Sequence, residues 1–512
     1  MSATLNIAGL VQHHARYRPG ARAVVCGDTA LDWREFDQQV NRLARALQDA
    51  GVAPGDRIAT VLGNSLELLE IYWACARLGA VAVPLSPLLM ESGLRSLLAD
   101  AAPRFVFASA ATAGPVGTAC TALPDISGRV IVDGRSDGFV PWAEFVAVNT
   151  GPSLRAEVAP DDIYNIMYTS GTTGMPKGIV LTHRIRALYG TLLANAWRIT
   201  ADSVVLHGGA IVFNGSFVTL MPAFTMGATY VLHQAFDAAA FIETVAREKV
   251  THTMLVPSQI VAILNSAAFA AEKLESLQVL VSLGAPLALA HKERLEALLP
   301  GRFHELYGLT EGFVTILDRR DAVRKQGSVG VPPPFFDLRI LRDDGSEAAI
   351  DEVGEIVGRG PLLMPGYYKR PDLTAAAIRD GWLHTGDLGR IDGDGYLVLV
   401  DRIKDMIDSG GVKIYPRDVE EVIVRHPAVA EAVVFGIPDE KWGETPAAAV
   451  QLKVGAGATA QELREWINAR VAARYQRLAR VDIVAELPRN AAGKILKREL
   501  REPFWANRTT RI

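Results

Sequence analysis

Three cysteines in 512 residues, Cys26, Cys75 and Cys120, are too few and too widely spaced for a disulfide framework. The chain has no CxxC pair, which argues against a structural zinc site as well. Such sparse cysteine suits a reducing cytosol. No apolar run approaches the roughly 20 residues that cross a bilayer. The opening MSATLNIAGLVQHHARYRPG lacks the charged, apolar and small-residue succession of a secretory signal. A cytoplasmic protein without a membrane span is therefore expected. Charge of one sign is also scarce: 53 Lys and Arg against 57 Asp and Glu leave a net −4. That balance gives no electrostatic case for nucleic acid or for an anionic membrane. No internal repeat occurs, and the alanine-rich stretch 108–122 reads as an ordinary loop and helix.

What is present reads as a large globular protein. Hydrophobic residues make up 49% and charged residues 21%, ordinary for a soluble enzyme. The length exceeds one compact core, so at least two domains are expected. From Asp56 onward, short β-rich runs alternate with amphipathic helices. Strands are predicted at 57–62, 80–84 and 104–108, with helices at 65–78 and 94–100. The pattern resumes with strands at 229–233, 251–256 and 277–283 and helices at 238–249 and 287–299. Repeated β-α-β units imply parallel sheets covered by helices, here two doubly wound subdomains of an α/β fold. From about Arg339, Gly, Pro and Asp turns separate short strands, which reads as an all-β module. Beyond Arg402 a small α+β domain of about a hundred residues follows, with 401–404 as the linker.

The densest chemistry lies in YTSGTTGMPKG, from Tyr168 to Gly178. Thr169, Ser170, Thr172 and Thr173 supply hydroxyls, Gly171, Gly174 and Gly178 let backbone N–H groups approach an anion, and Lys177 adds a point charge. This is a phosphate-holding loop. The spacing is not that of a Walker loop, since Met175 and Pro176 separate Gly174 from Lys177. A strand at 163–168 and a helix after His183 place it as a strand-to-helix loop.

Four further constellations suit a nucleotide site. Gly284-Ala285-Pro286 ends the 277–283 strand abruptly, where backbone could border a flat base. Tyr307-Gly308-Leu309-Thr310-Glu311 offers a ring, a hydroxyl and a carboxylate able to hold Mg²⁺ against phosphates. His384-Thr385-Gly386-Asp387 sets an acid after a tight turn, suited to ribose hydroxyls, and Asp401-Arg402 supplies a guanidinium. Each alone has an ordinary structural explanation. Their ordered co-occurrence does not.

In this order the motifs resemble those of the adenylate-forming superfamily: acyl-CoA synthetases, luciferases and the adenylation domains of peptide synthetases. YTSGTTGMPKG, YGLTE, HTGD, DRIKDMIDSGGVKIYPRDVEEV and LPRNAAGKILKREL carry the resemblance over nearly the whole chain. It implies an N-terminal adenylation domain, 1–401, of two doubly wound subdomains and a β-barrel, with a small mobile α+β C-terminal domain, 402–512. It also implies ATP, Mg²⁺ and coenzyme A, and an AMP-forming acid–thiol ligase of the acyl-CoA synthetase branch. By resemblance, Lys494 bridges carboxylate and α-phosphate. Thr169, Ser170, Thr172 and Lys177 hold the outer phosphates, with Gly171, Thr173 and Gly174 in the same loop. Thr310 and Glu311 serve the phosphates, Glu311 as the metal ligand. Tyr307 stacks on adenine beside Gly284 and Ala285, while Asp387 and Arg402 bind ribose. Lys404 falls at the hinge, and Gly410 and Gly411 approach the pantetheine thiol. Trp442 and the Tyr475–Arg477 stretch lie where relatives meet the CoA nucleotide.

Phe213, Asn214, Leu283 and Gly308 fall on the acid pocket. There the family pattern is broken. The phenylalanine–histidine pair of many acyl- and aryl-CoA members is missing from Ile211-Val212-Phe213-Asn214-Gly215-Ser216. Asn214 falls on the aspartate that grips the amine in amino-acid-activating relatives, and it carries no charge. Leu283 replaces the first of the usual two glycines. Together these predict a compact acid that is not an amino acid, short-chain or aromatic. The partners expected are this small carboxylic acid and CoA, with carrier-protein phosphopantetheine as the alternative acceptor and a homodimer as an open arrangement. A nucleotide-binding scaffold would have little reason to keep Lys494 and the hinge segment. Luciferase-like oxygenation of the adenylate is left open by the motifs.

Overall fold

The computed structural model describes residues 5–506 apart from 124, 148–150, 155, 170–176 and 490–494. The chain divides into two compact units. The first comprises Met1–Leu283, Gly308–Phe313 and Gly360–Gly381; the second comprises Gly284–Tyr307, Val314–Arg359 and Trp382–Ile512.

The first unit holds a seven-stranded sheet. Its spatial order is Val140–Pro141, Gly128–Ile131, Phe105–Ala108, Arg57–Val61, Val81–Leu85, Ile163–Thr169 and Lys177–Thr182. The pairs are parallel except the last, which is antiparallel. Continuous apolar runs such as VAVPL, buried at every position, suit strands covered on both faces. Helix Leu66–Leu78 shows how such a cover forms. Ser65 caps its first turn by accepting from Leu68 N at 3.2 Å, and Gly79 closes it at φ +69°. Every residue from Leu68 to Leu78 on it is buried, including Glu70 and Arg77.

A second sheet of this unit sets Val279–Ser282, His252–Leu255, Val204–His207, Thr229–Leu232 and Arg22–Cys26 side by side in parallel, with Thr29–Asp32 antiparallel beyond them. Two doubly wound subdomains are thus in place, as expected. An aromatic nexus packs against them: Phe224 lies stacked on Trp73 at 4.6 Å and edge-on to Trp33 at 5.4 Å, with Phe36 and Tyr230 also in contact.

One expectation is corrected here. The glycine-rich segment does not join a strand to a helix. Strand Lys177–Thr182 follows it and pairs back onto Ile163–Thr169, Thr169 opposite Lys177. Helix His183–Trp197 begins only after that strand, capped by Thr182. The run Ile179-Val180-Leu181 has room for a strand before the cap, and pairing between distant residues, which sequence does not show, settles it.

The second unit contains four antiparallel strands, Asp337–Leu341, Gly354–Arg359, Trp382–Ile391 and Leu397–Arg402, as the half-barrel sheet that meets the expected β-barrel. It also contains the α+β part. There Val412–Ile414, Ile407–Ser409, Gly443–Leu452 and Val429–Asp439 are neighbours in that order, and Arg480–Val484 runs parallel to Gly443–Leu452. Helices Pro416–Ile423 and Ala460–Asn468 bury Val419, Ile423, Leu463 and Ile467 against this sheet. Among the described residues no helix is long and apolar enough to cross a membrane.

Candidate active site

In the first unit, Lys177 opens its strand at the far end of the glycine-rich segment. Its Nζ lies 5.1 Å from the centre of the Tyr367 ring, a cation–π distance. The Tyr367 hydroxyl donates to Glu311 Oε1 at 2.9 Å. Burial, then the neighbouring Glu311 carboxylate, push the Tyr367 phenol up, so it remains a neutral donor. Backbone bonds fix this tyrosine: Val180 N donates to Gly366 O at 3.2 Å and Tyr368 N to Gly178 O at 2.7 Å.

Thr310 and Glu311 occupy a tight turn in which Leu309 N donates to Phe313 O and Gly312 N to Leu309 O, both at 3.0 Å. Gly312 sits at φ +110°, and a Cβ there would fall 1.9 Å from Leu362 O, so the turn requires glycine. Met364 N donates to Glu311 O at 2.8 Å. Asp100 anchors the neighbourhood. It accepts from the Tyr168 hydroxyl at 2.6 Å and Arg370 Nη2 at 3.2 Å.

Of the predicted acid-pocket residues, Leu283 comes beside the turn that carries Asn214. A Cβ on Gly215 would stand 3.1 Å from Leu283 Cδ1, so Leu283 fills the space beside the Asn214–Ser216 turn. Asn214 Nδ2 donates to Tyr189 Oη at 3.2 Å, while its Oδ1 is buried without a partner. Phe213 is half-buried ahead of that turn, and Gly308 is exposed at the end of its strand.

The second unit gathers another predicted group. The Tyr307 hydroxyl donates to Asp387 Oδ2 at 2.9 Å, and Arg402 Nε lies 3.5 Å from Asp387 Oδ1. Asp387 and Arg402 are register partners on adjacent strands. Burial, then the Asp387 charge, push the Tyr307 phenol up, keeping it protonated. Gly386, at φ +70°, makes the bend before Asp387; its N–H donates to Glu355 Oε1 at 3.1 Å, and Asp387 N donates to Thr385 Oγ1 at 3.1 Å. Gly284 lies at φ +93° with Ala285 exposed beside it. Lys404 is exposed just after Arg402, whose carbonyl accepts from Asp405 N at 3.0 Å. Gly410 N donates to Trp442 O at 2.7 Å, and a Cβ on Gly410 would strike the Trp442 ring at 2.7 Å. Gly411 N donates to Asp408 Oδ1 at 2.7 Å.

Ser170, Gly171, Thr172, Thr173, Gly174 and Lys494 lie outside the described residues, as does the side chain of Thr169. Among the described residues no three His, Cys, Asp or Glu side chains group as a metal site. The carboxylate of Glu311, held by the Tyr367 hydroxyl, is a hard oxygen donor, which fits a cation sharing phosphate oxygens.

The profile of the AMP-binding enzyme family matches residues 11–368, and that of the AMP-binding enzyme C-terminal domain matches residues 418–494. The chain belongs to the AMP-binding enzyme family. A feruloyl-CoA synthase from an Amycolatopsis species is 38% identical over 502 residues, covering 96% of this chain and 97% of its own. A fatty acid–[acyl-carrier-protein] ligase, ScoC from Streptomyces coeruleorubidus, is 34% identical and covers 98% of this chain and 96% of its own. Among solved structures, ATP-bound MatB from Rhodopseudomonas palustris superimposes with TM-score 0.88 at 28% identity, over 98% of this chain and 99% of that one. The superfamily, the enzyme class expected of it (an AMP-forming acid–thiol ligase) and the fold class all hold.

Sequence reading of this AMP-binding enzyme missed Tyr367, Asp100 and Tyr189. Tyr367 follows the Pro365-Gly366 turn, which reads only as punctuation between strands. Tyr189 lies on helix His183–Trp197, and only the fold brings it to Asn214.

Proposed function

We propose that this AMP-binding enzyme activates a compact carboxylic acid with ATP and transfers the acyl group to the thiol of coenzyme A. A carboxylate oxygen attacks the α-phosphorus, the bond to the β-phosphate breaks, and pyrophosphate leaves. The thiol sulfur then takes the acyl carbon, and AMP departs with the electron pair of the acyl–oxygen bond. Making the adenylate brings two anions together, so fixed positive charge is needed at the phosphorus.

One observation supports the reading most: a cation and a carboxylate from two separated motifs, Lys177 and Glu311, converge on one tyrosine. Lys177 and the hydroxyls of the glycine-rich loop bind the outer phosphates. Glu311, oriented by Tyr367, would hold Mg²⁺, which when bound neutralises phosphate charge. Tyr307, Asp387 and Arg402 bind the nucleoside, with Asp387 accepting from ribose. Lys494 serves the first half-reaction from a C-terminal domain, 402–512, that pivots at Lys404 against the adenylation domain, 1–401. Gly410, Gly411 and Trp442 then serve the thiol-bearing substrate. Three buried free cysteines suit a cytoplasmic setting.

The test is acid-dependent exchange of labelled pyrophosphate into ATP, followed by thiol-dependent AMP release. A carrier-protein thiol is the second reading of the acceptor, favoured by the likeness to ScoC. Comparing CoA with a holo-carrier protein in the AMP-release assay separates the two.

A further inference from the structure

The flanks of the segment that carries Lys494 are tied down within the α+β part. Leu496 N donates to Pro488 O at 2.8 Å, and Arg489 faces Ile495 in an antiparallel bridge, so the backbone on either side of 490–494 is joined at one base. Charge fixes that base to its neighbours. The Arg489 guanidinium pairs with Glu431 on strand Val429–Asp439. Lys497 Nζ donates at 2.8 Å to Oε1 of Glu420, on helix Pro416–Ile423, and the same oxygen accepts from Val434 N at 2.8 Å. Apolar contacts complete the mount. Leu487 and Ile495 pack with Val433 and Phe435, which alternate with Glu431 along one face of the strand.

The four charged side chains keep between 22% and 29% of their surface in contact with water. Ion pairs so placed contribute modestly to stability. What they do fix is geometry. Burial pushes the Glu431 carboxyl up, the Arg489 guanidinium beside it opposes that shift, and the Glu420 charge adds repulsion. Each carboxylate therefore depends on its own cation, and each cation lies within five residues of Lys494, one on either side. A catalytic group displaced by about 1 Å loses on the order of a hundredfold in rate. Two clamps on the flanks of one segment guard against such a displacement.

We infer that Glu431 and Glu420 are positioning residues for the first half-reaction: acting through Arg489 and Lys497, they hold the two flanks of the segment from which Lys494 serves the α-phosphate. This rests on the ligase reading above and on the role given there to Lys494. Neither carboxylate takes part in thioester formation, so their loss separates the two half-reactions.

The test uses the full chain and whichever of butyrate, benzoate and 4-hydroxycinnamate it exchanges best. Glu431→Gln and Glu420→Gln keep shape and an acceptor oxygen while removing the charge. Each should lower kcat for pyrophosphate exchange by roughly tenfold to a hundredfold, with KM for ATP within about twofold. Thioester formation from the chemically prepared acyl-AMP and CoA should be unchanged. The reciprocal exchange Glu431→Arg with Arg489→Glu should restore most of the lost rate, which a role in folding alone would not produce. Unchanged exchange in both Gln variants, equal losses in the two half-reactions, or a reciprocal exchange that restores nothing would overturn the positioning role. Lys494→Ala separates that failure from a deeper one: exchange at the unaltered rate in Lys494→Ala, or no exchange with any of the acids, would overturn the reading of Lys494 or of the ligase itself.

Discussion

The Tyr367 hydroxyl donates to Glu311 Oε1 at 2.9 Å while Lys177 Nζ stands 5.1 Å from the centre of the same ring. Residues 177, 311 and 367 come from three separate stretches of chain, and tertiary folding alone joins them. The hydroxyl orients the carboxylate proposed for the metal. The ring face holds the ammonium proposed for phosphate. Tyr367→Phe keeps the ring and removes the hydroxyl. It should lower kcat/KM for ATP by roughly tenfold or more, the cost of a hydrogen bond to a charged group. Steady-state exchange kinetics check this, and an unchanged value would remove Tyr367 from the phosphate side.

Asp387 accepts from Tyr307 and pairs with Arg402. If it also receives ribose hydroxyls, Asp387→Asn should raise KM for ATP roughly tenfold with kcat nearly constant, the pattern of lost ground-state binding. The penalty should shrink with 2′,3′-dideoxy-ATP, which lacks the partners. Equal penalties for both nucleotides would assign Asp387 to structure alone.

The strands legible beforehand were those written as short apolar runs between turn residues, such as 57–62 and 104–108, because burial on both faces demands that composition. Asp387 was legible because Gly386 marks its bend within the local sequence. Strand Lys177–Thr182 was not: IVLT reads equally as the entrance to a helix, and its partner lies across the glycine-rich segment. Tyr367 escaped for a related reason. Its partner Glu311 lies 56 positions distant, and no local pattern encodes such a pairing.

Phe224 is fully buried among Trp33, Phe36, Trp73 and Tyr230. Phe224→Ala should destabilise the first unit by roughly 3–5 kcal/mol through lost burial and the cavity left behind. Denaturant unfolding followed by tryptophan fluorescence reads this directly. A loss below about 1 kcal/mol would mean the surrounding rings collapse to fill the space.

Glu70 is 5% exposed on helix Leu66–Leu78, and burial, then repulsion from Glu67, push its carboxyl up to about 8. The folded state therefore holds a proton that the unfolded chain releases at lower pH. Its stability contribution is fully present below the ordinary carboxylate range and falls as pH rises towards 8, by up to about 4 kcal/mol. Glu70→Gln removes this dependence. The stability difference between Glu70→Gln and the unaltered chain should grow in favour of the variant from pH 5 to pH 8. A constant difference across that window would show Glu70 ionised in the fold.

A lysine of the tail, Lys494, is proposed to assist acyl-adenylate formation. Labelled pyrophosphate, ATP and an accepted acid, given to the unaltered chain and to Lys494→Ala, test it most directly. The unaltered chain should label ATP only when acid is present. Lys494→Ala should lose exchange by several orders of magnitude while still binding ATP, because the residue acts on the transition state, and Lys177→Ala should lose less. Equal exchange by Lys494→Ala and the unaltered chain would contradict a role for Lys494 in adenylate formation.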